Sequence, residues 1–116
     1  MFRFFKSIFN KNSQEKILNF GLSLAMEWGA NWLQPIQARL KKRYPYLTDD
    51  ELDYYNNICK EAMTYGHNLI EELAHEMDLN KVTFELWKVQ YIQKYKWTSK
   101  SNLRRLYSQG QYYARK

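Results

Sequence analysis

Glycine and proline are scarce in this chain, four and two among 116 residues. A turn-rich β sandwich draws heavily on both, so their scarcity points to long regular elements. Cysteine is scarcer still. The lone Cys59 excludes an intramolecular disulfide and any zinc site built on paired thiolates. It falls on an apolar helical stripe, where a free cysteine behaves as a small buried hydrophobe. Histidine occurs twice, at His67 and His75, which leaves little material for general-base chemistry. There is no glycine-rich phosphate loop and no nucleophile elbow. No apolar run reaches the roughly 20 residues that a membrane-spanning helix needs.

What remains is ordinary globular material. Hydrophobic residues make up 45% and charged residues 26%, close to average usage. A chain of this length buries about 65% of its unfolded surface, enough for one core without a staple. Aromatics reach 17%, with ten tyrosines. Each tyrosine brings an apolar ring and a polar tip, which suits core edges and interfaces.

Residues 1–12 read as a separate N-terminal segment and 13–116 as a single helical domain. The apolar run at the start is broken by Arg3, Lys6 and Ser7, and no small-residue cleavage site follows, so it does not read as a secretory signal. Phe2, Phe5 and Phe9 can share one face while Arg3, Lys6 and Lys11 point to lipid headgroups. The plainer alternative is that these phenylalanines pack on the domain or belong to a frayed end.

Periodicity and caps predict about four helices. The first spans Ser13 to Arg43, with Ile17, Phe20, Leu24 and Trp28 on one stripe and Leu33, Ile36 and Leu40 continuing it. Gly21, Ala25 and Gly29 stand four apart and form a face on which a partner helix can approach closely. Pro35 removes a backbone donor, so a kink or break is expected near Trp32–Gln34. Arg39, Lys41, Lys42 and Arg43 suit the negative end of a helix dipole. Thr48 and Glu51 form a capping box for the second helix. That helix carries Leu52, Tyr55, Cys59, Ala62, Gly66, Leu69 and Leu73 inward and ends between Met77 and Asn80. Thr83 caps a third helix to about Lys96, with Phe84, Trp87, Tyr91 and Tyr95 as a core stripe. Ser99 or Ser101 caps a fourth, with Leu103, Leu106, Tyr107, Gly110 and Tyr113 inward. Short connections favour antiparallel neighbours, hence an all-α compact bundle whose first helix is long and kinked near Pro35.

Charge is ordered along the chain. Residues 1–47 hold eight Lys/Arg against two Asp/Glu, residues 48–79 one against nine, and residues 80–116 nine against one. Dipole preferences explain the acids at the start of the second helix and the bases at the end of the first. The C-terminal bases are left without such an explanation.

Three constellations invite a chemical reading. His67, Glu71 and His75 share one helical face. At 100° per residue they turn roughly 100°, 140° and 180° from the apolar stripe, so they are expected to face solvent, and no metal site is expected. The third and fourth helices resemble a helix-turn-helix in layout, with Asn102, Arg104, Arg105, Ser108, Gln109, Gln111 and Arg115 on the outer side of the last helix. Arg can read guanine edges and Asn or Gln adenine, but the turn lacks the usual glycine. Adjacent Tyr112 and Tyr113 cannot both face the core, so at least one is expected at the surface.

The sequence therefore reads as a small non-catalytic helical interaction domain, cytoplasmic and bacterial in style, that binds another protein. It implies no cofactor and no catalytic residue. The alternative is nucleic-acid binding through the last two helices. A further alternative is membrane-surface association through Phe2, Phe5 and Phe9. Partner or nucleic-acid contacts are expected at Lys100, Arg104, Arg105, Gln109, Tyr112 and Arg115.

Overall fold

The computed structural model describes residues 11–116. Five α-helices follow one another: α1 Lys11–Ala25, α2 Gln37–Arg43, α3 Asp49–Glu76, α4 Phe84–Lys94 and α5 Lys100–Ala114. Single 3₁₀ turns stand at Gly29–Asn31 and Leu79–Lys81. No strand occurs among the described residues. Phe2, Phe5 and Phe9 lie outside them.

The 28-residue α3 is the spine. At 1.5 Å per residue it is about 42 Å long, nearly the 45 Å longest extent of the molecule. The other four helices all pack on it. Its start is fixed by the capping box: Thr48 Oγ1 accepts from the Glu51 amide at 3.2 Å, and Glu51 Oε1 accepts from the Thr48 amide at 2.8 Å. Thr83 and Ser99 cap α4 and α5 in the same manner, accepting from the amides of Leu86 and Asn102.

The core follows the apolar stripes. Ile17, Leu22, Leu40, Leu52, Cys59, Ile70 and Leu106 are buried together with Trp87 and Tyr91. Both aromatic polar tips donate to carbonyls of α3, Trp87 Nε1 to Gly66 at 2.9 Å and Tyr91 Oη to Ala62 at 3.1 Å. The Cys59 thiol is buried, donates to the Leu18 carbonyl, and is pushed up in pKa by desolvation. Helices α3 and α5 approach so closely that a Cβ on Gly110 would stand 2.4 Å from Ile70 Cδ1.

The first predicted helix is corrected. It is not one long helix kinked at Pro35 but two, so five α-helices stand among the described residues where about four were expected. α1 stops at Ala25 and α2 begins at Gln37. Two residues between them hold left-handed backbone, Gly29 at φ 82° and Leu33 at φ 66°, and neither conformation continues a right-handed helix. Pro35 then steers Gln34 away from helical geometry. Gly21 and Ala25 are buried as a close-approach stripe, but Gly29 has left that stripe and supplies backbone freedom instead.

Candidate interaction surface

The segment Met26–Ile36 joins α1 to α2 and is tied down from several directions. The Met26 carbonyl accepts from Gln109 Nε2 at 2.7 Å and from Arg105 Nη2 at 3.1 Å. The Arg39 guanidinium pairs with Glu27 and also donates to the carbonyls of Leu24, Gln34 and Pro35. Lys60 Nζ reaches the Leu33 carbonyl at 3.4 Å, and Asn56 Oδ1 accepts from the Ile36 amide at 3.0 Å. α2, α3 and α5 thus all hold this one loop.

Trp28 and Trp32 project from the loop and meet Tyr112 and Tyr113 at the end of α5. Trp28 stacks on Trp32 (5.6 Å between centroids, 14° between planes) and on Tyr113 (5.7 Å, 4°). Trp32 and Tyr113 stack as well, at 5.7 Å and 12°. Tyr112 meets Trp28 edge-on at 5.3 Å, and Lys116 Nζ sits over the Tyr112 ring at 4.9 Å. Trp28 and Tyr112 are each 48% exposed, and Leu33 on the same loop is 57% exposed.

His67 of α3 lies beneath these rings, 5.4 Å from Tyr113 and 6.4 Å from Trp32 by centroid. The Gln109 amide nitrogen is committed to Met26, so its oxygen faces His67 and accepts from Nε2–H at 3.3 Å. Desolvation lowers the His67 pKa, opposed by the Gln109 hydrogen bond and by Glu71. The expectation that His67 faces solvent is thereby corrected: α5 and the loop cover a flank of α3 that a single apolar stripe does not reveal. Glu71 and His75 are exposed, so the three do not converge.

The candidate contact and helix-turn-helix residues of the last helix divide. Lys100, Arg104, Arg105, Tyr112 and Arg115 are exposed. Gln109 and Asn102 are not: they are 3% and 6% exposed, which corrects their expected outward placement. Gln109 turns in to hold Met26. Asn102 Nδ2 donates to the Asn19 carbonyl at 2.9 Å and to Asn19 Oδ1 at 3.1 Å. Asn19 also accepts from the Ser99 amide at 2.7 Å and donates to the Trp97 carbonyl at 2.9 Å. A side-chain amide from α1 thereby organises the α4–α5 turn, which lacks a glycine.

The C-terminal bases settle on aromatic rings more than on carboxylates. Arg104 lies 4.6 Å over Phe84, and Lys94 lies 4.8 Å over Tyr65. Arg115 reaches the Asn80 amide oxygen at 3.3 Å. Lys88 pairs with Glu85 on its own helix at 3.7 Å. No ion pair joins the acids of α3 to the bases of α4 and α5 among the described residues.

Trp28 and Trp32 are not among the contacts expected from the sequence. Their signal was present: glycine and proline bracket Trp32 within seven residues, Gly29 to Pro35, which marks a loop rather than a buried stripe. No protein-family model, curated protein or solved structure matches the chain. No helix among the described residues is long and apolar enough to cross a membrane.

Proposed function

We propose that this chain is a non-catalytic binding domain whose partner is another protein, seated on the surface formed by Trp28, Trp32, Tyr112 and Tyr113. One observation carries the reading. Trp28 and Tyr112 remain half exposed although the loop and helix presenting them are anchored by hydrogen bonds from three helices. Large rigid aromatics held in place at a surface lose little conformational entropy on docking, and Trp and Tyr dominate binding hot spots. A cytoplasmic site of action belongs to the same proposal.

The test is site-specific photocrosslinking in the host cell with the probe at Leu33. The expected result is a discrete protein adduct that disappears when Trp28→Ala is added. Absence of any adduct, or one indifferent to Trp28→Ala, counts against the reading.

A second reading, nucleic-acid binding, draws on the exposed bases of α4 and α5 that lack carboxylate partners. With Asn102 and Gln109 turned inward, this contact would rest on phosphate charge rather than base edges. A mobility shift at low salt that weakens in Lys100→Ala with Arg104→Ala supports it, and no shift at low salt removes it.

A further inference from the structure

Resting on the protein-binding reading, we infer that the partner element seated on the Trp28–Tyr112 surface is an amphipathic helix whose apolar stripe is flanked by carboxylates. Among the described residues three cations border the surface: Lys60, Arg105 and Lys116. They contact the Leu33 carbonyl, the Met26 carbonyl and the Tyr112 and Tyr113 rings respectively. None of these contacts cancels a charge, and none of the three has a carboxylate partner among the described residues. Of the acids nearby, Glu27 is neutralised by Arg39, and Glu71 acts on His67 beneath the rings and lines a pocket with Ala74, His75 and Ala114. An acidic flank on the partner would meet these cations, and such complementarity sets register and association rate.

The backbone of the loop argues for a helix over an extended peptide. The carbonyls of Met26, Gly29, Asn31, Leu33, Gln34 and Pro35 already accept hydrogen bonds from within the chain. There is no sheet edge among the described residues to extend. A partner strand would find no extended edge on a loop that turns at Gly29–Asn31 and is left-handed at Gly29 and Leu33, whereas a helix satisfies its own backbone and brings side chains alone. The rings argue against a nucleic acid. Trp28 is already stacked with two rings and met edge-on by a third, and Lys116 covers Tyr112. Base stacking needs open ring faces, while apolar side chains pack equally well on ring edges.

The experiment selects binders to the immobilised full chain from a displayed library of random peptides about four helical turns long. The expected winners carry Asp or Glu beside apolar residues at helical spacing. Their binding weakens about tenfold or more with Trp28→Ala and also with Tyr112→Ser, each variant first checked by circular dichroism. Lys60→Glu with Lys116→Glu abolishes the preference for acidic sequences. Winners that need Trp28 but are neutral or basic overturn the partner chemistry and spare the surface. Winners indifferent to both aromatic substitutions, or no winners, overturn the surface as well. Displacement of the winners by an oligothymidylate or by phosphatidylglycerol vesicles at matched charge overturns the helical-protein assignment in favour of a polyanion.

Discussion

Among the described residues the molecule stacks its aromatics twice, once in the core and once at the surface. In the core, Trp87 and Tyr91 lie 4.8 Å apart at 17°, both fully buried, with their polar tips on carbonyls of α3. At the surface, Trp28, Trp32 and Tyr113 adopt comparably parallel geometry. Yet Trp28 is half exposed, and no hydrogen bond joins it to the helices beneath among those described. Ring stacking alone therefore does not define a core. What differs is the backbone beneath the tryptophans: regular helix under Trp87, a left-handed and proline-bounded loop under Trp28 and Trp32. The first arrangement serves stability, and the second is the one we propose a partner meets.

The largest expected effect lies on the core side. Trp87→Ala opens a cavity beside Gly66 and Tyr91 and removes a buried donor, so it should cost about 3–5 kcal/mol in urea unfolding. Next is the anchor between the two regions. Gln109→Leu strips the Met26 carbonyl of its shorter hydrogen bond and leaves His67 Nε2–H facing an apolar chain. A loss of about 1–3 kcal/mol is expected, by the same measurement. Removing the cap with Thr48→Ala should cost about 1 kcal/mol, read as a shift in urea midpoint at constant slope.

The smallest effect is a pH dependence that reports on the surface cluster alone. Burial lowers the His67 pKa below its ordinary 6.5. Between the two values the unfolded chain holds a proton that the folded chain lacks, so stability falls as pH drops through 6.5 toward the folded value. His67→Asn should flatten the change in urea midpoint between about pH 7.5 and pH 5.5, above the ordinary carboxylate range. An unchanged slope in that variant would assign the dependence elsewhere and weaken the account of a covered His67.

Much of the fold was legible because it rests on local signals. Thr48, Thr83 and Ser99 announce their helices through side chains three residues from the amides they cap. The stripe through Leu52, Cys59 and Leu73, and the row Trp87, Tyr91 and Tyr95, were readable from spacing. The errors of exposure share one cause, which is distance. Asn102 and Gln109 looked like outward polar residues because the groups that hold them, Asn19 and Met26, stand 83 residues away in sequence. His67 looked solvated because its cover comes from α5 and from a loop. The break after Ala25 was placed too late because Pro35 is a louder signal than Gly29, and because nothing in Leu33 advertises left-handed backbone. The candidate surface was half legible: adjacent Tyr112 and Tyr113 required one outward ring, while Trp28 was absorbed into an apolar stripe and Trp32 entered only as the edge of an expected break.

The central claim is that the surface aromatics serve a partner more than the fold, and the double variant Trp28→Ala with Tyr112→Ala tests it most directly. Its urea-unfolding free energy and its photocrosslinked adduct at Leu33 would be measured on the same preparations. The account predicts a stability loss well below that of Trp87→Ala, about 1–2 kcal/mol for rings already half in solvent, together with loss of the adduct. A stability loss as large as that of Trp87→Ala, or an adduct that persists, would contradict it.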